Sequence, residues 1–310
     1  MTCMTVFRRK ISQVVLLAVG ILIGGVTEAY CGGDTGVLFL RIGVGAPASA
    51  MAGAYTAAAQ DQSACYWNPA GLVGVHGKNV LLMHTQWLQG IRHEYGGMAV
   101  GDGKSALGLS FAYNTAGQLE LRSRPTPRPE ATFSIHDVML ALSCARSTRH
   151  GLSLGITGKF LYEKIYIEST SGFAFDIGLL YRLSSAHLNL GLSLRNMGKM
   201  TKLKEEAVRL PVLMQLGVSH QFHVTPGDVL VCFDVELPRD SVNSLHFGIE
   251  YQLCRFLSLR AGYQTGHQER NIAAGLGLRV GKWQIDYAYV PYYFDLGDTH
   301  RISLEFCQRR

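Results

Sequence analysis

The sequence predicts an all-β chain, a transmembrane antiparallel β-barrel of about fourteen strands, and three observations carry that expectation. Beyond residue 79, apolar residues alternate with small or polar ones in segment after segment. A period of two is the mark of a strand, because successive side chains leave opposite faces. Short and long connections alternate along the same region, apart from a short link near 89–90. A secretory signal precedes it, and no later run is apolar for the ~20 residues that a spanning helix needs.

In chain order, the signal comes first. Arg8, Arg9 and Lys10 form a positive start, 14–26 is an uncharged apolar run, and Thr27 and Ala29 are small residues where a signal peptidase reads. Residues 1–29 therefore read as a signal peptide cut after Ala29. A lipidated start at Cys31 is the competing reading, and the bulk of Tyr30 just before it argues against that. Loss of Arg8, Arg9, Lys10 and Glu28 takes the formal charge from +6 to +4, scattered along the chain. That is too mild and dispersed for a nucleic-acid partner. With 17% charged residues and a mean hydropathy of +0.11, the chain is apolar for an exported soluble protein. Cys31, Cys65, Cys144, Cys232, Cys254 and Cys307 remain after the signal, with no C-x-x-C spacing and no histidine at a metal-site interval. Cys144 and Cys232 fall mid-strand as apolar filler, so no disulfide framework, metal or cofactor is expected.

Residues 30–78 differ from all that follows. The span 46–59 is crowded with Ala and Gly, with Met51 and Tyr55 four apart, a spacing that puts both on one face of a helix. Asn68 followed by Pro69 suits the start of a second short helix, the Asn capping free N–H groups and the Pro having none to leave unpaired. An ordinary Ala-rich helix and turn would satisfy the composition. However, the runs Phe39-Leu40-Arg41-Ile42-Gly43, Ala50-Met51-Ala52-Gly53-Ala54-Tyr55 and Tyr66-Trp67-Asn68-Pro69-Ala70-Gly71-Leu72 resemble the N-terminal signature of FadL-like outer-membrane transporters, most closely their PorV/PorQ branch. The resemblance implies that 30–78 is a plug, or hatch, inside a fourteen-stranded barrel. It makes Trp67, Asn68, Pro69 and Gly71 the candidate hatch and ligand-path residues.

From 79 to 306 fourteen alternating segments follow, at 79–88, 91–100, 105–114, 134–147, 151–163, 172–183, 186–196, 211–223, 228–237, 243–252, 255–264, 270–280, 283–290 and 298–306. In one of them Leu188, Leu190, Leu192 and Leu194 oppose Asn189, Gly191, Ser193 and Arg195. At about 16 residues per strand and connection, the spacing suits tilted strands of about 9–11 residues. The links at 101–104, 148–150, 184–185, 224–227, 253–254 and 281–282 are short. Those at 115–133, 164–171, 197–210, 265–269 and 291–297 are longer, as with periplasmic turns and outer loops.

One face of these strands carries Leu154, Ile156, Phe160, Val231, Phe247, Ile249, Trp283 and Ile285. The other carries Lys159, Glu163, Asp176, Arg195, Asp234, Glu236, Glu250, Arg260, Arg279, Asp286 and Glu305. A soluble sandwich would bury the first face, whereas a barrel turns it to lipid and lines its lumen with pairs of the second. The signal, the even strand count and tyrosines near strand ends (Tyr113, Tyr162, Tyr251, Tyr263, Tyr289) favour the membrane. The last strand runs to Phe306 and resembles the terminal signal read by the barrel-assembly machinery, departing from it by the tail 307–310.

No catalytic set emerges. His93-Glu94 lacks a second histidine at 97, where Gly97 stands, and no P-loop occurs. The chain is expected to be a non-enzyme, a monomer in outer-membrane lipid. The FadL side of the resemblance implies passive uptake of hydrophobic small molecules such as long-chain fatty acids or other lipids. The PorV side implies a component of a protein secretion or surface-assembly system.

Overall fold

The computed structural model describes residues 35–125 and 127–308. The signal-peptide reading and Cys31 lie outside the described residues. Fourteen antiparallel strands form a closed barrel: β1 His76–Gln86, β2 Arg92–Asp102, β3 Ser105–Leu121, β4 Ala131–Ser147, β5 Leu152–Ile165, β6 Glu168–Leu183, β7 Leu188–Met200, β8 Leu213–Val224, β9 Gly227–Pro238, β10 Ser244–Cys254, β11 Leu257–Gln264, β12 Ile272–Val280, β13 Trp283–Pro291 and β14 Asp298–Gln308. Each strand pairs with its neighbours in sequence. Closure comes from β14 against β1, with Val80 opposite Phe306 and His84 opposite Ile302. Residues 35–75 lie inside, as the resemblance implied.

Alternation resolves into an outer and an inner surface. Leu107, Leu142, Phe173, Phe247 and Ile285 point outward and are exposed, Leu142 at 64%. Among the described residues no second layer covers them, which removes the sandwich reading. Lys159, Asp176, Arg195, Asp234, Arg260, Asp286 and Glu305 point inward and are buried. A closed wall with an apolar exterior satisfies every strand hydrogen bond without a free edge, the requirement for spanning lipid with strands. The chain is an outer-membrane β-barrel.

Two expected outer links are shorter than the sequence suggested. The link at 115–133 is mostly strand, because β3 runs on to Leu121 and β4 begins at Ala131, with Leu119 opposite Phe133. The link at 164–171 shrinks to a tight turn between Ile165 and Glu168. In both, apolar alternation continues past the length a bilayer needs, so these hairpins stand above it. β3 and β4 have 17 residues each, while β11 has 8. The loop at 197–210 carries a small hairpin of Lys202–Leu203 with Glu206–Ala207. All five described cysteines are free, Cys232 buried and Cys144 facing outward.

The Ala-rich helix is also shorter than its composition suggested. α1 spans only Ala46–Ala50, and Ala52 and Gly53 then take positive φ values of 52° and 83°. That reversal separates Met51, fully buried, from Tyr55, so the two share no helical face. An α-helix four turns long would not follow the curve of the wall.

Sidedness gives a direct test. Epitope tags at 123–125 and at 204–205 are expected to bind antibody on intact cells, and a tag at 103–104 only after the outer membrane is opened. Equal labelling of all three would contradict the topology.

Candidate functional site

The hatch is held by backbone as much as by side chains. Three glycine pairs on hydrogen-bonded neighbouring strands form flat windows in the wall: Gly155 with Gly178, Gly191 with Gly217, and Gly248 with Gly262. A Cβ on Gly155 would lie 2.3 Å from the Ala70 nitrogen, one on Gly191 2.7 Å from the Thr56 oxygen, and one on Gly262 2.3 Å from the Ala52 nitrogen. Only glycine leaves room there for hatch main chain. Wall side chains complete the seat. Asp234 accepts from the Tyr55 and Thr56 backbone N–H groups at 3.0 and 2.8 Å, and from Gln215 at 3.0 Å.

The four candidate residues sit in this seat, in two different roles. α2, Ala64–Trp67, ends at Asn68, and a 3-10 turn, Pro69–Gly74, follows. Asn68 is fully buried. Its Oδ1 accepts from the Ala70 N–H at 3.2 Å, the expected cap, while its Nδ2 donates to the Thr56 and Leu179 carbonyls, both at 3.0 Å. One amide thus joins the turn, the Ala-rich arm and β6. Pro69 occupies the first position of the turn. Gly71 is packed so closely that a Cβ would fall 1.9 Å from the Ala59 oxygen. Trp67, by contrast, lines the outer cavity described below. Its Nε1 donates to the Val44 carbonyl at 2.8 Å, and its ring meets Tyr66 edge-on at 5.0 Å.

The hatch separates two cavities that share no lining residue. The periplasmic one, about 650 Å³, is polar and lies below 55–61. Ion pairs stiffen its wall: Arg260 binds Glu250 at 2.5 Å and Asp286 at 2.7 Å. Further round the lumen Lys159 pairs with Asp176 at 2.7 Å. The outer cavity is small, about 90 Å³, and lies under the loops at 239–243 and 265–271. Trp67, Tyr66, Ile272 and Val290 give it apolar walls, and Arg195, Arg270 and Arg301 project to it. A wider concavity of about 940 Å³ lies at the periplasmic ends of β1–β5, lined in part by outward-facing Leu107 and Ile156, and contains none of the candidates.

Two of these arginines tie wall to hatch. Arg195 on β7 donates to Gln215 at 2.7 Å and to the Tyr66 carbonyl at 3.4 Å, its guanidinium 4.8 Å from the Tyr66 ring. Arg301 on β14 donates to Ser49 and to the Gly43 carbonyl, and stacks 5.0 Å over Trp87. Sequence reading placed Arg195 in the lumen but passed over Arg301 and Arg270. Arg301 shares the parity of Ser303 and Glu305, and that signal could have found it.

A hydrolytic cluster is not assembled beside them. Ser244 lies 2.7 Å from His246 Nε2, but His246 Nδ1 is held by the Ala52 carbonyl at 2.6 Å. Glu236 is 3.8 Å from the same Nε2, not on the far nitrogen where a relay would need it.

Fold and site together define a hatch-closed β-barrel of the outer membrane. Among solved structures, it is similar to the toluene transporter TbuX of Ralstonia pickettii, with a TM-score of 0.60 and 13% identity over 86% of this chain and 98% of that one. The CymD monoaromatic hydrocarbon channel gives 0.63 at 12%, covering 87% and 98%. The P. putida toluene transporter TodX gives 0.60 at 12%, covering 86% and 99%. At these identities the likeness is one of fold. No protein-family model matches the chain. Among curated proteins, the nitrogen fixation protein VnfA of Azotobacter vinelandii is 31% identical over 122 residues, which are 38% of this chain. The chain spans 23% of that protein's length.

Asn68→Ala removes the cap and orphans two carbonyls, each orphaned group costing about 1–3 kcal/mol. Hydrogen exchange at 54–59 is expected to speed up by at least an order of magnitude while strand amides keep their protection. Unchanged exchange would show that Asn68 does not hold the arm.

Proposed function

We propose that the chain is a passive outer-membrane channel for hydrophobic compounds and belongs to the FadL-like transporters. The observation that carries this reading is the separation of the two cavities by a hatch seated on wall glycines. Such a lumen offers no continuous water path, so solutes that part from water readily are the ones it can pass. The apolar walls of the outer cavity supply a first stop. The likeness to the toluene transporters TbuX and TodX and to the monoaromatic hydrocarbon channel CymD supports the same cargo class. The resemblance adds long-chain fatty acids as a cargo and, through its PorV/PorQ side, a role in secretion as the alternative.

Trp67, Asn68, Pro69 and Gly71 act in this proposal as the hatch hinge: Trp67 meets the cargo, and the other three hold the turn behind it. Local loosening of a few kcal/mol is the scale on which such closed and open arrangements exchange.

The test is uptake of radiolabelled toluene and of a fluorescent long-chain fatty acid by cells carrying the chain at matched surface levels. Faster entry than in control cells is expected for at least one compound, altered by Asn68→Ala with Pro69→Ala in a correctly inserted barrel. No uptake, together with a co-purifying secreted protein, would favour the secretion role.

A further inference from the structure

We infer that the hollow on the outside of the wall, at the periplasmic ends of β1–β5, binds one anionic phospholipid of the periplasmic leaflet. Acyl chain fills the hollow, and the phosphate rests on Lys78 and Arg146. The inference stands on the membrane placement of the barrel and is independent of what the barrel passes.

The shape of the hollow has a cause in the hatch. On the lumen side of these strands stand only small residues, Ala99, Ala106 and Ala145 with Gly101 and Gly155. A Cβ on Gly101 would lie 2.4 Å from the Val75 oxygen, and one on Gly155 2.3 Å from the Ala70 nitrogen. The strands are thus drawn in against the turn Pro69–Gly74, and the outer surface falls away to leave about 940 Å³. That volume, near the top of the ~300–1,000 Å³ range of small-molecule sites, far exceeds what one side chain or a free ion needs.

Register defines the lining. Lys78, Val100, Leu107, Cys144 and Ile156 stand opposite one another across β1–β5 in a single row. One pleat nearer the periplasm, Arg146 stands opposite Leu154. Leu107 and Ile156 are 62% and 46% exposed. In an outer-membrane barrel the solvent of this face is lipid, and an empty hollow would forfeit dispersion contacts on both sides. Acyl chain is therefore its occupant.

Charge selects the headgroup. Arg146 lies at the periplasmic end of β4 and Lys78 at that of β1, both exposed. Among the described residues neither lies in a salt bridge. The acid beside them, Asp102, is turned to its own hairpin, where it accepts from the Lys104 and Ser105 backbone N–H groups at 2.8 and 2.7 Å. Two basic side chains at the edge of the hydrocarbon thus have no acidic partner in the chain. Phosphate supplies one, and the guanidinium fork matches its oxygens. A zwitterionic headgroup would bring its own ammonium toward these cations, whereas phosphatidylglycerol carries none.

Native mass spectrometry of the detergent-solubilised full barrel, mixed with equal amounts of phosphatidylglycerol and phosphatidylethanolamine of the same chains, tests the site. One retained phosphatidylglycerol is expected, favoured at least ~5-fold, the scale of one basic contact at a lipid surface. Lys78→Gln with Arg146→Gln is expected to remove that preference. Cys144→Trp fills the hollow and leaves both cations in place, and it should lower retention by a similar factor. These substitutions lie on the lipid face, and heat-modifiable mobility checks that each barrel is folded. Lys164→Gln, at the outer end of β5, should retain lipid as the wild type does, and a loss there would overturn the assignment to this rim. Equal retention of the two lipids, or an unchanged preference in the double variant, would reduce the binding to annular lipid and overturn the site. Wild-type retention in Cys144→Trp would leave surface charge alone and overturn the hollow as its seat. Inorganic phosphate displacing the lipid at equal concentration would overturn the role of the acyl chain.

Discussion

Closure of the sheet is the constraint on which everything else depends. In hydrocarbon, a backbone N–H or C=O without a partner costs several kcal/mol, and an open edge would present a whole row of them. Pairing of β14 with β1 removes that row. It also determines which side chains can occur where. The outward set must be apolar because lipid is its solvent, and the inward set encloses a space too wide for side chains alone to fill. Arginines and carboxylates of the wall, and a length of chain, fill it together.

That filling explains why the wall is rich in glycine at particular places. A hatch of small residues approaches the strands closely only if the strands yield their own side chains. The pairs Gly155–Gly178, Gly191–Gly217 and Gly248–Gly262 do so in three sectors of the barrel. Polar wall residues then bind hatch backbone where glycine leaves it exposed, as Asp234 does at Tyr55 and Thr56. Main-chain contact of this kind gives a tight seal without large apolar side chains inside the lumen.

Much of this was legible before any coordinates. A period of two is a local property, so Leu188 to Arg195 declared both strand and faces. Turn lengths are local too, and they separated the two ends of the barrel. Less legible was anything that depends on register. Nothing near Gly191 announces that Gly217 lies opposite, or that Thr56 passes between them and the lumen. Met51 and Tyr55 have helical spacing, but the positive φ at Ala52 and Gly53 answers to the curved wall and not to local propensity. The extension of β3 and β4 was missed for another reason. Prolines at 125, 127 and 129 mark only the tip of the hairpin, and their influence was spread over the whole link. At the site, Arg195 was recognised because leucines flank it on alternating positions. Arg270 sits just before β12, where alternation has not begun, and only its approach to the outer cavity gives it meaning.

The hatch is fastened at both rims. Thr35 bridges to Arg209 and hydrogen-bonds Asp240 among the outer loops, Arg41 pairs with Asp240, and the other end continues covalently into β1 at His76. A stopper fixed at one end can swing clear and leave a bore. One stitched at both cannot, so under the uptake reading proposed above passage would proceed as through an airlock, with small voids opening and closing in succession while the hatch stays between its fastenings. Cargo would then advance by exchanging neighbours, with no column of water along which an ion or a hydrophilic toxin could follow it. On that reading the permeability barrier of the membrane would survive each crossing.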